Sequence, residues 1–259
     1  MSTYSTYSNS EFTPSDAFKA PSDLNKPVQK HLIKVYGTLC GLSVIAGLGA
    51  YAHVFGLFFF GGGFVSFLVG IAALVGIMSL PNTPGNKLTR YGLLGVFGFM
   101  EGLSIGPVVK YALSISISNN ILINACVVTG LMFSAFTLSA MFTNKAYFMY
   151  LGGILGSVLS LLLWTSFINS FIGSKFIFDI EIYVGLFMFC GYVIYDTQLI
   201  IYRATELGVR DEVSDALTLF IDLVGIFVRI LLIFSDKSEK SNQKQKERRS
   251  RRKAGYSGQ

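Results

Sequence analysis

The sequence predicts an all-α membrane protein, a bundle of seven transmembrane helices. Three observations predict it. Hydrophobic residues make up 52% of the chain and charged residues only 14%, where a soluble domain runs near a quarter charged. The apolar residues gather in stretches of about 20, the length that crosses a bilayer as a helix. Gly and Phe, at 27 and 23 residues, are abundant, as suits close helix packing and a lipid-facing surface.

Seven spans follow: Leu32–Tyr51, Phe55–Leu80, Tyr91–Leu113, Ile121–Phe142, Tyr147–Ile168, Ile182–Tyr202 and Ala216–Ser235. The breaks carry loop chemistry. Pro81-Asn82-Thr83-Pro84-Gly85-Asn86 is a turn signal, Ser118-Asn119-Asn120, Thr143-Asn144-Lys145 and Gly173-Ser174-Lys175 are polar interruptions, and Arg203–Asp215 is a hairpin with both charge signs. Gly61-Gly62-Gly63 loosens or kinks the second span. Gly37/Gly41, Gly102/Gly106 and Gly152/Gly156 repeat the small-xxx-small spacing that brings backbones together. No internal repeat of the kind that builds inverted-repeat transporters is evident.

Residues 1–30 form a polar Ser/Thr/Tyr-rich tail without the apolar core of a signal peptide, so the first span serves as an uncleaved targeting signal. Residues 31–236 are the membrane domain, and residues 237–259 a basic tail. The net charge of +6 resides in that tail, in Lys237, Lys240, Lys244, Lys246, Arg248, Arg249, Arg251, Arg252 and Lys253. Such a run orients a chain and touches anionic lipid; a nucleic-acid role fits a membrane chain poorly. With the N-terminus cytosolic, Lys19, Lys26, Lys30, Lys87, Arg90, Lys145, Arg203 and Arg210 all fall on the cytosolic side. Seven crossings then put the basic tail on the far side, against the positive-inside rule. Either the last segment is re-entrant or the tail breaks the rule.

Cys40, Cys126 and Cys190 each sit in an apolar stretch without metal-ligand or disulfide spacing, and read as small buried apolar residues. There is no N-x-[ST] sequon. No cofactor is implied, and no enzyme motif stands out. His31 and His53 lie at span edges and read as solvated. Lys110 snorkels, Asp179 and Glu181 are acidic residues at a helix start, and Trp164 is an interfacial or packing aromatic.

Most spans lack ionisable groups, and a charge at a helix centre costs about 2.5–3.5 kcal/mol on insertion scales. The exceptions are therefore informative. Asp196 lies about six residues before the end of its span and Asp222 about six after the start of its own, so both stand roughly 9 Å below the same face, on either side of one hairpin. If those helices face each other the carboxyls meet, cannot both ionise cheaply and titrate as a unit. Such a pair holds one proton or a cation such as Ca²⁺. The plain alternative makes each Asp a packing hydrogen-bonder, or neutralises it by Arg229, two turns beyond Asp222. Glu101, near mid-depth before Gly102, Gly106 and Pro107, is either a pathway residue or a protonated group bonded to a neighbouring helix.

At these residues the chain resembles the Bax-inhibitor family, also called the transmembrane Bax inhibitor motif family, in its eukaryotic form. The motifs run in order: Phe136-Thr-Leu-Ser-Ala140, Tyr150-Leu-Gly-Gly-Ile-Leu155, Tyr183-Val-Gly-Leu186, Asp196-Thr-Gln-Leu-Ile200 and Phe220-Ile-Asp-Leu223, then the basic tail. The likeness covers about residues 30–240. It implies seven helices with the last one central, residence in the endoplasmic reticulum membrane, suppression of cell death, and a pH-sensitive Ca²⁺ leak controlled by two membrane aspartates that match Asp196 and Asp222. It also implies contact with apoptosis-regulating membrane proteins. Bacterial relatives latch the pair with an Arg on the second helix; residues 55–80 here contain no Arg or Lys, so that latch is absent or replaced. The rival readings are weaker. An intramembrane aspartyl protease has a Tyr-Asp like Tyr195-Asp196, but Asp222 follows Leu-Phe-Ile rather than Gly-x-Gly. A G-protein-coupled receptor shares only the helix count. The alternative of another class is a non-conducting adaptor that binds apoptosis regulators through the basic tail.

Overall fold

The computed structural model describes residues 25–57, 63–115, 120–142 and 148–256. Their regular structure is seven helices: α1 (Lys26–Val54), α2 (Phe64–Ser79), α3 (Lys87–Ile115), α4 (Asn120–Phe142), α5 (Phe148–Ile172), α6 (Lys175–Glu206) and α7 (Glu212–Tyr256). Six of them are long and apolar enough to cross a membrane. The seven-helix expectation holds, with three changes at helix ends.

First, helices outrun their apolar cores. Pro27 in the opening turn starts α1 at Lys26, ahead of the expected boundary at residue 30. The tail expected over residues 1–24, with Lys19, lies outside the described residues, as do most of the Gly61-Gly62-Gly63 break and Lys145. Second, α2 is short, only 16 residues, because α1 runs on to Val54 and Gly56 then turns the chain at φ 68°. Third, α7 continues without a break for 45 residues to Tyr256. The re-entrant reading of the last segment gives way to a continuous helix. Asp236 meets Lys175, Glu239 accepts from the Tyr111 hydroxyl, and Asn242 bonds the Ile115 carbonyl. Those partners stand at the opposite end of the bundle from the α6–α7 turn, so the basic segment is helical and leaves by that end.

The centre of the bundle is α7, which packs against α1, α3, α4 and α6. Leu219, Phe220, Ile226 and Leu231 are wholly buried. On the periphery, α2 packs on α3 and α5 on α6. The outer surface is apolar, with Phe64, Met78, Trp164 and Phe171 turned outward; this is the expected inversion when the surrounding solvent is hydrocarbon. Cys40 and Cys126 also face outward, which corrects their reading as buried residues; only Cys190 is inside.

The tightest seam joins α1 and α3. A Cβ on Gly102 would fall 2.1 Å from the Ala46 carbonyl oxygen, one on Gly49 2.3 Å from that of Phe99, and one on Gly106 2.4 Å from His53. Of the three small-xxx-small pairs only Gly102/Gly106 works as a pair. Gly37 and Gly41 have open space around them, and of the third pair only Gly152 is closed in, by Tyr195.

Candidate functional site: stacked polar layers on α6 and α7

The α6–α7 hairpin is tight. Gly208, at φ 64°, ends α6. Asp211 begins α7 by accepting from the Ser214 backbone N–H at 3.2 Å, an N-cap. From that turn the two antiparallel helices carry their polar side chains inward in register.

The outermost layer ties α3 to the turn. Arg90, almost fully buried, clamps Asp211 with both terminal nitrogens, Nη1 to Oδ1 at 2.9 Å and Nη2 to Oδ2 at 2.6 Å, and reaches the Ser214 hydroxyl. Bidentate Arg–carboxylate pairing is the strong form of this contact. Burial raises the Asp211 pKa, but the Arg90 guanidinium and the Ser214 donors outweigh it and leave the carboxyl below its ordinary 3.8. Beside it Lys87 meets Glu212 at 2.6 Å, and Asn82 of the α2–α3 loop donates to the Arg210 carbonyl.

The next layer is Asp215, 2% exposed, held between His31 of α1 and Arg203 of α6 at 2.8 and 3.0 Å. A carboxylate oxygen only accepts, so His31 carries its hydrogen on Nε2. This corrects the reading of His31 as a solvated edge residue: it is 4% exposed.

Two turns deeper on both helices stand Asp196 and Asp222, 7% and 3% exposed. Their carboxyls face each other closely enough that each feels the other's charge. Both stand at one level on two helices that pack together, as equal spacing from the hairpin predicts. Each lies ten residues inside its helix, counting from Glu206 and from Glu212, so at 1.5 Å per residue the two sit about 15 Å below the turn. The Asp222 Oδ2 has no partner. Next to Asp196, the Thr197 hydroxyl faces those of Tyr36 and Thr137, and none of the three finds a well-formed hydrogen bond. Gln198 anchors α6 to α4 through the Ala140 carbonyl at 3.2 Å.

Arg229 does not neutralise Asp222. Its Nη1 donates to the Gly225 carbonyl at 2.9 Å and its guanidinium lies 4.4 Å from the Phe189 ring centre. The cation in electrostatic reach of Asp196 is Arg203, on the same helix. Glu101 stands apart from the aspartates, on the wall of a cavity shared with Arg229. Sequence reasoning missed the Arg90–Asp211 and His31–Asp215–Arg203 layers. One signal was present: Arg203 is seven residues after Asp196 and Asp215 seven before Asp222, which places them face to face once the deeper pair is in register.

The comparisons with known proteins agree with this architecture. Residues 28–239 match the family model described as "Inhibitor of apoptosis-promoting Bax1". The chain is 42% identical over 219 residues to the protein named Bax inhibitor 1 of Arabidopsis thaliana, covering 84% of this chain and 85% of that one. It is 39% identical over 237 residues to Bax inhibitor 1 of Oryza sativa subsp. japonica, covering 91% and 92%. With Bax inhibitor 1 of Mus musculus it shares 36% over 231 residues, 88% and 96% of the two chains. A seven-helix membrane bundle with a buried aspartate pair, matched over nearly its whole apolar length, belongs to the Bax-inhibitor family.

Proposed function

We propose that this protein suppresses cell death from the endoplasmic reticulum membrane by acting as a pH-sensitive Ca²⁺ leak, with Asp196 and Asp222 as its gate. The family supports the suppression of cell death, since the relatives are named as Bax inhibitors. The observation that carries the gate is the close facing of two carboxyls about 15 Å inside a membrane bundle. Two carboxyls that face each other in an apolar surround cannot both ionise cheaply, and one proton between them removes the repulsion. The proton therefore closes α6 onto α7 at this depth. Removing it leaves two like charges in an apolar surround, which part or take up a cation. That is a two-state element biased by a local charge.

Ca²⁺ here is cargo. A tight Ca²⁺ site takes six to eight oxygens, and among the described residues no group of three His, Cys, Asp or Glu is placed to hold a metal. Two carboxylates with the nearby orphaned hydroxyls suit an ion that stops briefly and moves on. No step of this reading is catalytic.

The test is Ca²⁺ flux into liposomes holding the purified protein, between pH 6 and 8. Wild type should leak with a rate that changes several-fold over that range. Asp196→Asn and Asp222→Asn should each flatten the pH response and shift the rate at least fivefold. Flux no greater than in empty liposomes, or flux indifferent to both substitutions, removes the gate. The second reading is the adaptor. It rests on the end of α7, which runs on to Tyr256 past its last contacts with α3 at Glu239 and Asn242 as a helix rich in Lys and Arg. Truncation after Asn242, which spares the Glu239 and Asn242 contacts with α3, should leave flux within twofold of wild type if the leak protects cells, and should abolish protection if that helix end is the working surface.

A further inference from the structure

A cavity of about 530 Å³ lies among α2, α3, α6 and α7, away from the aspartate pair. Its walls are apolar except for Ser66 of α2, Glu101 and Ser104 of α3 and Arg229 of α7, and only Glu101 and Arg229 are ionisable. Both are half-buried. Glu101 has no hydrogen-bond or ion-pair partner among the described residues. Arg229 is not paired with it: one terminal nitrogen is spent on Gly225, the plane rests on Phe189, and Nε is buried without a partner. The chain makes room for this arrangement, since a Cβ on Gly185 would sit 2.4 Å from the Arg229 Nε. A carboxylate and a guanidinium in hydrocarbon gain most by closing on each other. These two are held apart across an open space.

The cavity also has a direction. Its α3 wall includes Glu101, Ser104 and Val108, and its α7 wall Gly225 and Val228. One turn further on the same faces, Tyr111 and Leu232 line a second cavity, of about 650 Å³, at the end where α7 leaves the bundle. That outer cavity carries Asp179, Glu181, Asp236 and Glu239; Lys175 and Lys240 both close on Asp236, and the four acids still outnumber these two lysines, a surplus of negative charge that concentrates cations at the mouth. In the other direction Gly225 lies one turn from Asp222.

Resting on the leak reading above, we propose that the Glu101 cavity is an intermediate cation station between the acidic mouth and the aspartate pair. The Glu101 carboxylate holds a partly hydrated divalent cation. Arg229, fixed on the opposite wall, keeps the stop brief by repulsion. The short α2, packed on α3 alone among the bundle's major contacts, is the wall that yields to an ion with its waters.

The test uses the full chain in liposomes, with Cys40, Cys126 and Cys190 replaced by Ser and Ser104→Cys introduced as a reporter. A membrane-impermeant cationic thiol reagent is added from the side of the α7 extension. The reporter should be modified, and 5 mM Ca²⁺ or Mn²⁺ should slow modification at least threefold at matched ionic strength. Glu101→Gln should abolish the slowing, while Arg229→Met should produce it at lower cation concentration and reduce flux. No modification, modification indifferent to divalent cations, or protection that survives Glu101→Gln overturns the station. Failure of the leak looks different: protection through Glu101 with no flux removes the leak and keeps the site. Flux governed by the aspartates without protection removes the site alone.

Discussion

Gly102→Leu should abolish the folded bundle. At this position α1 and α3 approach so closely that even a Cβ would stand 2.1 Å from the Ala46 carbonyl oxygen and 2.9 Å from its Cα. The obstruction is backbone, which no rotamer change can relieve. The helices must separate, and every contact along the seam loosens with them, including Leu42 against Gly98 and His53 against Gly106. In a membrane this seam has no hydrophobic effect to reinforce it; packing and interhelical hydrogen bonds hold helices together. Overpacking a core costs about 1–3 kcal/mol and occasionally more, and a branched side chain against two backbones belongs at the severe end. We expect Gly102→Leu to be recovered only as aggregate, and Gly102→Ala to be monodisperse but with a melting temperature at least 8 °C lower. Gly37→Ala and Gly41→Ala, with nothing within 4 Å of the added carbon, should melt within 2 °C of wild type. Size-exclusion profiles and thermal melts in detergent decide it. A monodisperse Gly102→Leu melting near wild type would show that α1 and α3 need not be in contact.

That contrast shows what the sequence could and could not tell. Hydrophobic runs located all seven helices, and the aspartates announced themselves because charge in an apolar run is expensive. Equal spacing from one hairpin then paired them. Which face of each helix turns inward was another matter. In water apolar residues mark the inner face, but in lipid both faces are apolar and the stripe fades. Gly37/Gly41 and Gly102/Gly106 therefore look alike in sequence although only the second pair is packed, and Cys40 and Cys126 read as buried although they face out. Helix ends were hidden for the opposite reason. Arg90, His31 and Asp215 lie in charged flanks that resemble solvated loops, whereas the helices run on and bury them. Apolar counting stops where these side chains begin to satisfy one another.

Removing Asp215 should be the most damaging single change outside the glycine seam. Its carboxylate joins α1, α6 and α7 through His31 and Arg203, with 2% of its surface exposed. Asp215→Ala strands a buried imidazole N–H and a half-buried guanidinium; losing one member of a fully buried ion pair costs about 3–5 kcal/mol, and the partial exposure of Arg203 lowers the cost from that range. Asp215→Asn should cost less, because the amide oxygen still accepts one of the two bonds. Replacing the pair together, Arg203→Met with Asp215→Leu, should recover much of the loss, since apolar substitutes for a buried pair are often neutral. A double mutant no more stable than Asp215→Ala would sink this account. The neighbouring layer adds a pH signature of definite sign. The folded Asp211 pKa lies below its ordinary 3.8 because Arg90 and Ser214 overcome its burial. Its stabilisation is therefore complete above the unfolded value and is lost as pH falls from 3.8 through the lower folded value. Arg90→Gln should melt several degrees below wild type at pH 7, and the gap should narrow as pH falls below 3.8 and wild type loses the same pair. Melts of both proteins across pH 2.5–7 test this. A gap that stays constant on acidification would mean that Arg90 stabilises α3 by packing alone, and that the charged clamp at the hairpin contributes nothing to holding α6 and α7 in register.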